Sequence, residues 1–167
     1  MGKTICLIVA LITISNCQSQ KVETYFKSGL LKAEIQDYRG SIIDFTKVIE
    51  LKPDNSIAYD NRGMSKAKLQ DYRGAIADYN KAIEIDPDYA RPYYNRGVSK
   101  AQLQDYRGAL ADFTTSIVID PDYADAYYGR GLSKFTLDQK DSGCLDLSKA
   151  GELGYPKAYD AIKILCN

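Results

Sequence analysis

The stretch Leu69-Gln-Asp-Tyr-Arg-Gly-Ala75 recurs as Leu103-Gln-Asp-Tyr-Arg-Gly-Ala109, inside two near copies that follow one another directly. The copies run from Ser56 to Tyr89 and from Ala90 to Tyr123, so the interval between equivalent residues is 34. A sustained interval of this length is typical of helix–turn–helix units stacked into a solenoid. Because one unit cannot bury its apolar face alone, its stability comes from its neighbours.

The same frame extends in both directions with small or aromatic residues at fixed places. Glycine occupies the eighth position in every unit, tyrosine the seventeenth in most, and proline the thirty-second in the first three. On these residues the chain resembles the tetratricopeptide repeat family. The resemblance implies an all-α fold, a right-handed superhelical solenoid of about four helix–turn–helix repeats with a C-terminal capping helix. The glycine has a packing role in this interpretation, since it lets two helices approach closely.

The repeat boundaries follow from the frame. The predicted repeats cover residues 22–55, 56–89, 90–123 and 124–154, and a capping helix covers 155–167. The fourth repeat is degenerate because Lys140 replaces the expected tyrosine and Gly143 the expected alanine. A solenoid needs such a cap to cover its last apolar surface.

Residues 1–19 have the pattern of a secretory signal. One lysine precedes an apolar run from Ile5 to Ile14, and small polar residues follow. The run is shorter than the roughly 20 residues that span a bilayer. Two processing routes stay open: a lipoprotein signal that ends before Cys17 and leaves it lipidated, or ordinary cleavage near Ser19. Either route predicts an exported protein that is periplasmic, associated with the outer membrane, or secreted.

Composition argues against several function classes. Lys plus Arg and Asp plus Glu both number 22, so the chain lacks the basic excess of a nucleic-acid binder. It contains no histidine, the commonest general base and zinc ligand. No catalytic motif is recognisable. We therefore predict a protein that is not an enzyme, with no cofactor, no metal and no nucleic-acid partner.

An arginine and an aspartate also recur with the repeat. Aspartate is present in all four repeats, but Ser28 stands where repeat one would carry the arginine. Pairing each arginine with the aspartate of the preceding repeat leaves only the terminal acid, Asp146, unpaired. The predicted structural ion pairs are Arg62–Asp44, Arg96–Asp78 and Arg130–Asp112.

Export removes Cys6, and Cys17 is either removed or lipidated, which leaves Cys144 and Cys166 as a pair. The turn at Gly154 places them on antiparallel helices at nearly the same level, given a rise of about 1.5 Å per residue. In an oxidising compartment this predicts a disulfide bond that attaches the cap to repeat four. Two buried free thiols are the alternative.

The family resemblance also implies a concave groove lined by the first helix of each repeat. A carboxylate clamp of the chaperone-binding members is rejected, because Glu23 and Leu30 replace a lysine and an asparagine. The residues predicted to bind the partner are Lys27, Leu30, Asn61, Met64, Tyr94, Asn95, Val98, Tyr128 and Leu132. Tyr94 and Tyr128 are the expected anchors, and their alternative role is packing between helices. Asn61 and Asn95 are expected to bond an extended backbone.

These features predict a protein–protein interaction scaffold that binds a peptide or a partner protein in the groove. The alternative is a structural or assembly subunit of an envelope complex that acts through its convex face or its ends. Membrane contact is expected only through the lipid anchor that one processing route creates.

Overall fold

The structure, a computed structural model, describes the backbone of residues 2–166 and the side chains of residues 18–166. This part of the chain contains nine helices and no strand, which confirms the predicted all-α solenoid. The helices are α1 (Gly2–Glu34), α2 (Tyr38–Leu51), α3 (Ser56–Lys68), α4 (Tyr72–Ile85), α5 (Ala90–Gln102), α6 (Tyr106–Ile119), α7 (Ala124–Thr136), α8 (Lys140–Glu152) and α9 (Lys157–Leu165).

The helices pack in consecutive pairs. Helices α1 and α2, α3 and α4, α5 and α6, and α7 and α8 form four hairpins, and α9 packs against α8. Each hairpin also contacts the next one along the chain. The first helices of the hairpins, α1, α3, α5 and α7, contact one another in order. They therefore share one face of the solenoid.

The turns inside the first three hairpins are built by the recurring Gln-Asp-Tyr-Arg-Gly segment. Gln36, Gln70 and Gln104 have φ angles of 65°, 65° and 64°, a left-handed conformation that ends the first helix. The next residue, an aspartate, caps the second helix by accepting a 2.9 Å hydrogen bond from the backbone N–H of the glycine. A Cβ atom on that glycine would overlap the capping carboxylate. The glycine is therefore required by the cap itself.

The core is centred on one large side chain from each second helix. These side chains are at most 1% exposed and recur with the repeat: Phe45, Tyr79, Phe113 and Leu147. A Cβ atom on Gly63 would lie 2.6 Å from the Tyr79 ring, and glycine at this position meets the equivalent side chain in every repeat. The predicted packing role of the glycine is thus confirmed. Truncating a buried ring of this kind to alanine costs about 3–5 kcal/mol.

The cap is held both by packing and by a covalent bond. The chain turns at Gly154, whose φ is +87°, and Pro156 precedes α9. Ala158 and Ala161 of α9 are buried. The disulfide bond between Cys144 and Cys166, with a Cα–Cα distance of 5.9 Å, confirms the predicted pairing.

Helix α1 extends on the N-terminal side of Val22, where repeat one is predicted to start. Helix α1 begins at Gly2 and continues into the repeat without a break. The reason is local, since no glycine or proline lies between Lys3 and Ser28 to end a helix. The side chains of residues 1–17 are outside the described part, so the signal sequence and lipidation at Cys17 stay predictions. In the described residues, no helix is both long and apolar enough to cross a membrane.

Candidate partner-binding groove

Six of the predicted partner-binding residues surround two neighbouring cavities on the face shared by the first helices. The first cavity lies between α3 and α5 and has a volume of about 470 Å³. The second lies between α5 and α7 and has a volume of about 460 Å³. Both are lined by Tyr94, Val98 and Gln102 of α5, so they are two sections of one groove. We call it the inner groove; its predicted lining residues are Met64, Tyr94, Asn95, Val98, Tyr128 and Leu132.

The first section combines apolar and amide side chains. Met64 and Ala67 of α3 face Val98 of α5, and Asn95 and Gln102 supply polar groups. Lys68 is the one charged residue in the lining of this section.

The second section is aromatic. Its lining includes the rings of Tyr94, Tyr106, Phe113, Tyr128 and Tyr155. Asp125 is the one charged residue in this lining.

Asp125 and Tyr155 are not among the residues predicted to bind a partner. Tyr155 comes from the link between α8 and α9, where the 34-residue frame no longer applies. Its ring lies 4.6 Å from that of Tyr128, much as the Tyr123 ring lies 5.0 Å from that of Tyr94. The recurring tyrosine pair is a signal that the sequence contains but that only the fold makes recognisable.

Tyr94 and Tyr128 are part of the groove wall and are also packed against neighbouring rings. Tyr94 is 5.8 Å from Phe113 in addition to its contact with Tyr123. Burial raises the pKa of Tyr94 to about 12, and the nearby charge of Asp125 contributes to this shift. These tyrosines therefore pack against neighbouring rings while they line the groove, and their role as anchors for a partner stays a prediction.

The asparagines are less available than expected. Asn61 donates a 2.8 Å hydrogen bond to the backbone carbonyl of Ile57 in its own helix. Asn95 donates a 2.9 Å hydrogen bond to Asp60. Each amide thus uses one of its two N–H groups inside the protein, and bonding of an extended backbone by the remaining groups stays a prediction.

Asp60 is the centre of a polar network that the sequence did not reveal. Its side chain is fully buried and accepts hydrogen bonds from Arg91 Nε at 2.6 Å, Asn95 Nδ2 at 2.9 Å and the Tyr89 hydroxyl at 3.3 Å. Burial raises the pKa of Asp60, and the Arg91 charge opposes that shift. Since an unpaired buried carboxylate is costly, these donors explain why an acid is tolerated there. The network joins repeats two and three.

Lys27 and Leu30 lie on α1, apart from the residues that line the two sections. Lys27 forms an exposed ion pair with Glu23 at 2.6 Å, and Leu30 is 43% exposed. They are not brought together with the other predicted partner-binding residues.

The predicted pairing of arginines and aspartates between repeats is wrong. Each arginine binds the aspartate of its own repeat through Nε and Nη2, as in Arg62 with Asp78 at 3.0 and 2.7 Å. The same bidentate contact joins Arg96 to Asp112 and Arg130 to Asp146. The inference failed because it treated arginine as the only cation near each aspartate.

A lysine four residues after each arginine position supplies the missing charge. Lys32 reaches Asp44 at 2.7 Å, and Ser28 donates to the same carboxylate at 2.6 Å. Asp44 therefore needs no arginine. The arginines still touch the preceding repeat through Nη1, which donates to Thr46 in the case of Arg62.

The lining of the inner groove is mostly uncharged. Among residues 18–166, no group of His, Cys, Asp or Glu side chains is arranged to hold a metal ion. The lining supplies aromatic and aliphatic surface, a few amides, and one charge of each sign. Amides can bond a peptide backbone, and apolar pockets can take alternate side chains.

Known proteins with this architecture are numerous. The chain is similar to MamA (crystal structure), with 24% identity over 91% of this chain and 89% of that chain, and a TM-score of 0.76. It is also similar to the first TPR domain of Spaghetti (RPAP3) bound to the HSP90 peptide SRMEEVD. The identity is 23% over 72% of this chain and 95% of that chain, and the TM-score is 0.70. It is similar as well to the TPR2B domain of yeast Sti1 in complex with pHsp70. The identity is 27% over 80% of this chain and 98% of that chain, and the TM-score is 0.61. No curated protein matches the sequence.

Family models match the same part of the chain that forms the hairpins. A tetratricopeptide repeat model matches residues 22–55, and a TPR repeat model matches residues 65–104 and 99–138. Together these matches cover more than half of the chain, and they lie within the region of the stacked helix pairs. The chain therefore belongs to the tetratricopeptide repeat family.

Proposed function

We propose that this protein is a non-enzymatic interaction scaffold that binds an extended peptide, or an extended segment of a partner protein, in the inner groove. The observation that carries the proposal is the continuity of the groove across α3, α5 and α7. Its two sections share Tyr94, Val98 and Gln102, so a single ligand can occupy both. The volume of each section is in the range of known ligand sites.

Similar structures support a peptide ligand. The Spaghetti domain is bound to the HSP90 peptide SRMEEVD, and the Sti1 domain is in complex with pHsp70. The charge of the groove points to a different ligand here, since Lys68 and Asp125 are its only charged lining residues. We therefore propose a mixed apolar and polar segment rather than an acidic C-terminus.

A display library of random decapeptides tests this function. The purified protein is immobilised and used to select binders, and Kd values are measured for the peptides recovered. Val98 lines both sections, so Val98→Arg should weaken binding at least tenfold by filling the groove. Val118, which is 74% exposed on α6, provides the matched control, and Val118→Arg should leave Kd unchanged.

A second pair of variants shows whether a loss of binding is caused by misfolding. Leu132 lines the second section, and Leu145 is 71% exposed on α8. Leu132→Arg should weaken binding while Leu145→Arg should not, with both variants melting cooperatively. If the library yields no binder, or if the groove variants bind as well as the controls, the proposed function is wrong.

One set of observations favours a second candidate, an assembly subunit that acts through its outer surface. Ile43, Val118, Leu145 and Ile164 are 62–77% exposed on α2, α6, α8 and α9. Exposed apolar side chains are a feature of contact surfaces. Under this candidate, Val118→Arg and Leu145→Arg would release a co-purifying partner, and the groove variants would retain it.

We also propose that the protein is exported. The predicted signal sequence and the Cys144–Cys166 disulfide support this location, because disulfides persist in oxidising compartments. Fractionation of cells that express the full chain tests it, and recovery in the cytoplasm with both thiols reduced would contradict it.

A further inference from the structure

The second section of the inner groove has one charge set among aromatic rings. Asp125 lies in the first turn of α7 and is partly buried. It shares the lining with Tyr94, Tyr128 and Tyr155. The cations nearest in sequence, Arg130 and Lys134, are both bound to Asp146.

The Asp125 side chain has no partner of its own. Within residues 18–166 it accepts no hydrogen bond and forms no ion pair. Every other aspartate of the groove region is satisfied, as Asp60 is by three donors. Asp125 occupies the repeat position that Arg91 occupies one repeat earlier. Arg91 binds the carboxylate of Asp60. At the position equivalent to Asp60, one repeat later, the residue is Tyr94, whose ring is uncharged.

The negative charge of Asp125 affects the pKa values of three nearby tyrosines. Burial is the main cause that raises the pKa values of Tyr94, Tyr123 and Tyr155, and Asp125 adds to the shift in all three. A tyrosine hydroxyl next to a carboxylate resists ionisation because a second negative charge is unfavourable. Asp125 therefore supplies the one negative charge in the lining of this section, next to aromatic rings.

We propose that the second section binds the basic side chain, lysine or arginine, of the partner polypeptide. The inference rests on the proposed function and specifies the ligand chemistry of this section. A cation gains from aromatic faces, which carry negative electrostatic potential, and from a charge-assisted hydrogen bond to Asp125. The long aliphatic stem of such a residue also fits an apolar wall that includes Leu132.

A structural role for Asp125 has to be separated from this one. An acid in the first turn stabilises a helix by its interaction with the helix dipole, whether or not a ligand binds. Asp141 provides the matched control, since it is the second residue of α8 just as Asp125 is the second residue of α7. Asp141 is exposed and is not part of the groove lining.

The test uses the same decapeptide library with the full chain. Peptides selected by the wild-type protein should be enriched in lysine or arginine at one fixed position. Replacing that residue by norleucine should raise Kd about tenfold, as expected for loss of a partly buried charge pair with aromatic contacts. Asp125→Asn should raise Kd by a similar factor for the basic peptide and leave the norleucine peptide unaffected. Asp141→Asn should change neither Kd.

The outcomes separate the preference for a basic residue from the proposed peptide-binding function itself. Binders without a basic preference would overturn the inference and leave the peptide-binding function intact. A preference that Asp125→Asn and Asp141→Asn weaken equally would also overturn it, because the effect would then be general. A library that yields no binder would overturn the proposed function together with the inference.

Discussion

Two contacts between repeats show how one backbone frame carries two kinds of chemistry. Repeats two and three meet through charge, with Asp60 bound to Arg91 and Asn95. Repeats three and four meet through an aromatic ring, since Phe113 of repeat three lies against Gly129 of repeat four and next to Tyr94. The equivalent positions are occupied by Asp60 and Tyr94, by Arg91 and Asp125, and by Asn95 and Gly129.

The comparison separates what stacks the repeats from what lines the groove. The repeats on both sides of each contact keep the same internal pair of arginine and aspartate, including Arg96 with Asp112 and Arg130 with Asp146. Only the inner positions differ. The repeats can therefore change ligand chemistry without changing their stacking.

The largest effect on stability is expected from removing the disulfide bond that attaches the cap to repeat four. Removing the disulfide with Cys144→Ser and Cys166→Ser should lower the free energy of unfolding by about 3 kcal/mol, because the unfolded chain regains freedom. Denaturation by urea measures this loss, and the wild-type protein in reductant is the control. An unchanged midpoint would show that packing alone holds α9 and Tyr155 in place.

A smaller effect is expected from breaking the charged contact. Arg91→Ala leaves the buried carboxylate of Asp60 with only neutral donors, which should cost about 2 kcal/mol. Asp125→Ala changes the residue of repeat four that is equivalent to Arg91 and should cost no more than about 0.5 kcal/mol, since Asp125 forms no hydrogen bond or ion pair within residues 18–166. Equal losses in thermal or urea unfolding would mean that the two contacts do not differ as described.

The smallest effect concerns the glycine that the aromatic contact requires. A Cβ atom on Gly129 would lie 2.8 Å from the Phe113 ring, which is buried and cannot move freely. Gly129→Ala should therefore destabilise the protein by about 1 kcal/mol, despite the better helix propensity of alanine. A stabilised variant would show that Phe113 can shift to make room. The comparable change Asn95→Ala should lose only the hydrogen bond to Asp60, about 1 kcal/mol as well, without disturbing the ring.

Much of the fold was predictable because its signals are periodic. The recurring glycine, the buried Phe45, Tyr79 and Phe113, and the Gln-Asp-Tyr-Arg-Gly turn each repeat at the same interval. The pairing of Cys144 with Cys166 followed from helix geometry around Gly154. Such features act through neighbours close in sequence or at a constant separation, so a linear pattern is sufficient to recognise them.

The ion pairs were less predictable because several partners are compatible with the same periodicity. Arg62 is almost equally spaced from Asp44 and Asp78 in sequence, since its separations are −18 and +16 residues. Periodicity does not say which aspartate is closer in space. The hairpin decides which aspartate is closer, because it brings α3, which carries Arg62, next to α4, which carries Asp78.

The sequence by itself determined the class of fold, the number of helix pairs, the capping turns and the disulfide, since these depend on local backbone preferences and on a constant interval. Only the tertiary structure decided which residues meet across the inner groove. Tyr155 enters the site from outside the repeat frame, and Asp125 is left without a partner because Tyr94 replaces an acid opposite it. These properties depend on side chains from separate helices, whose relative placement is set by the packing of the whole stack.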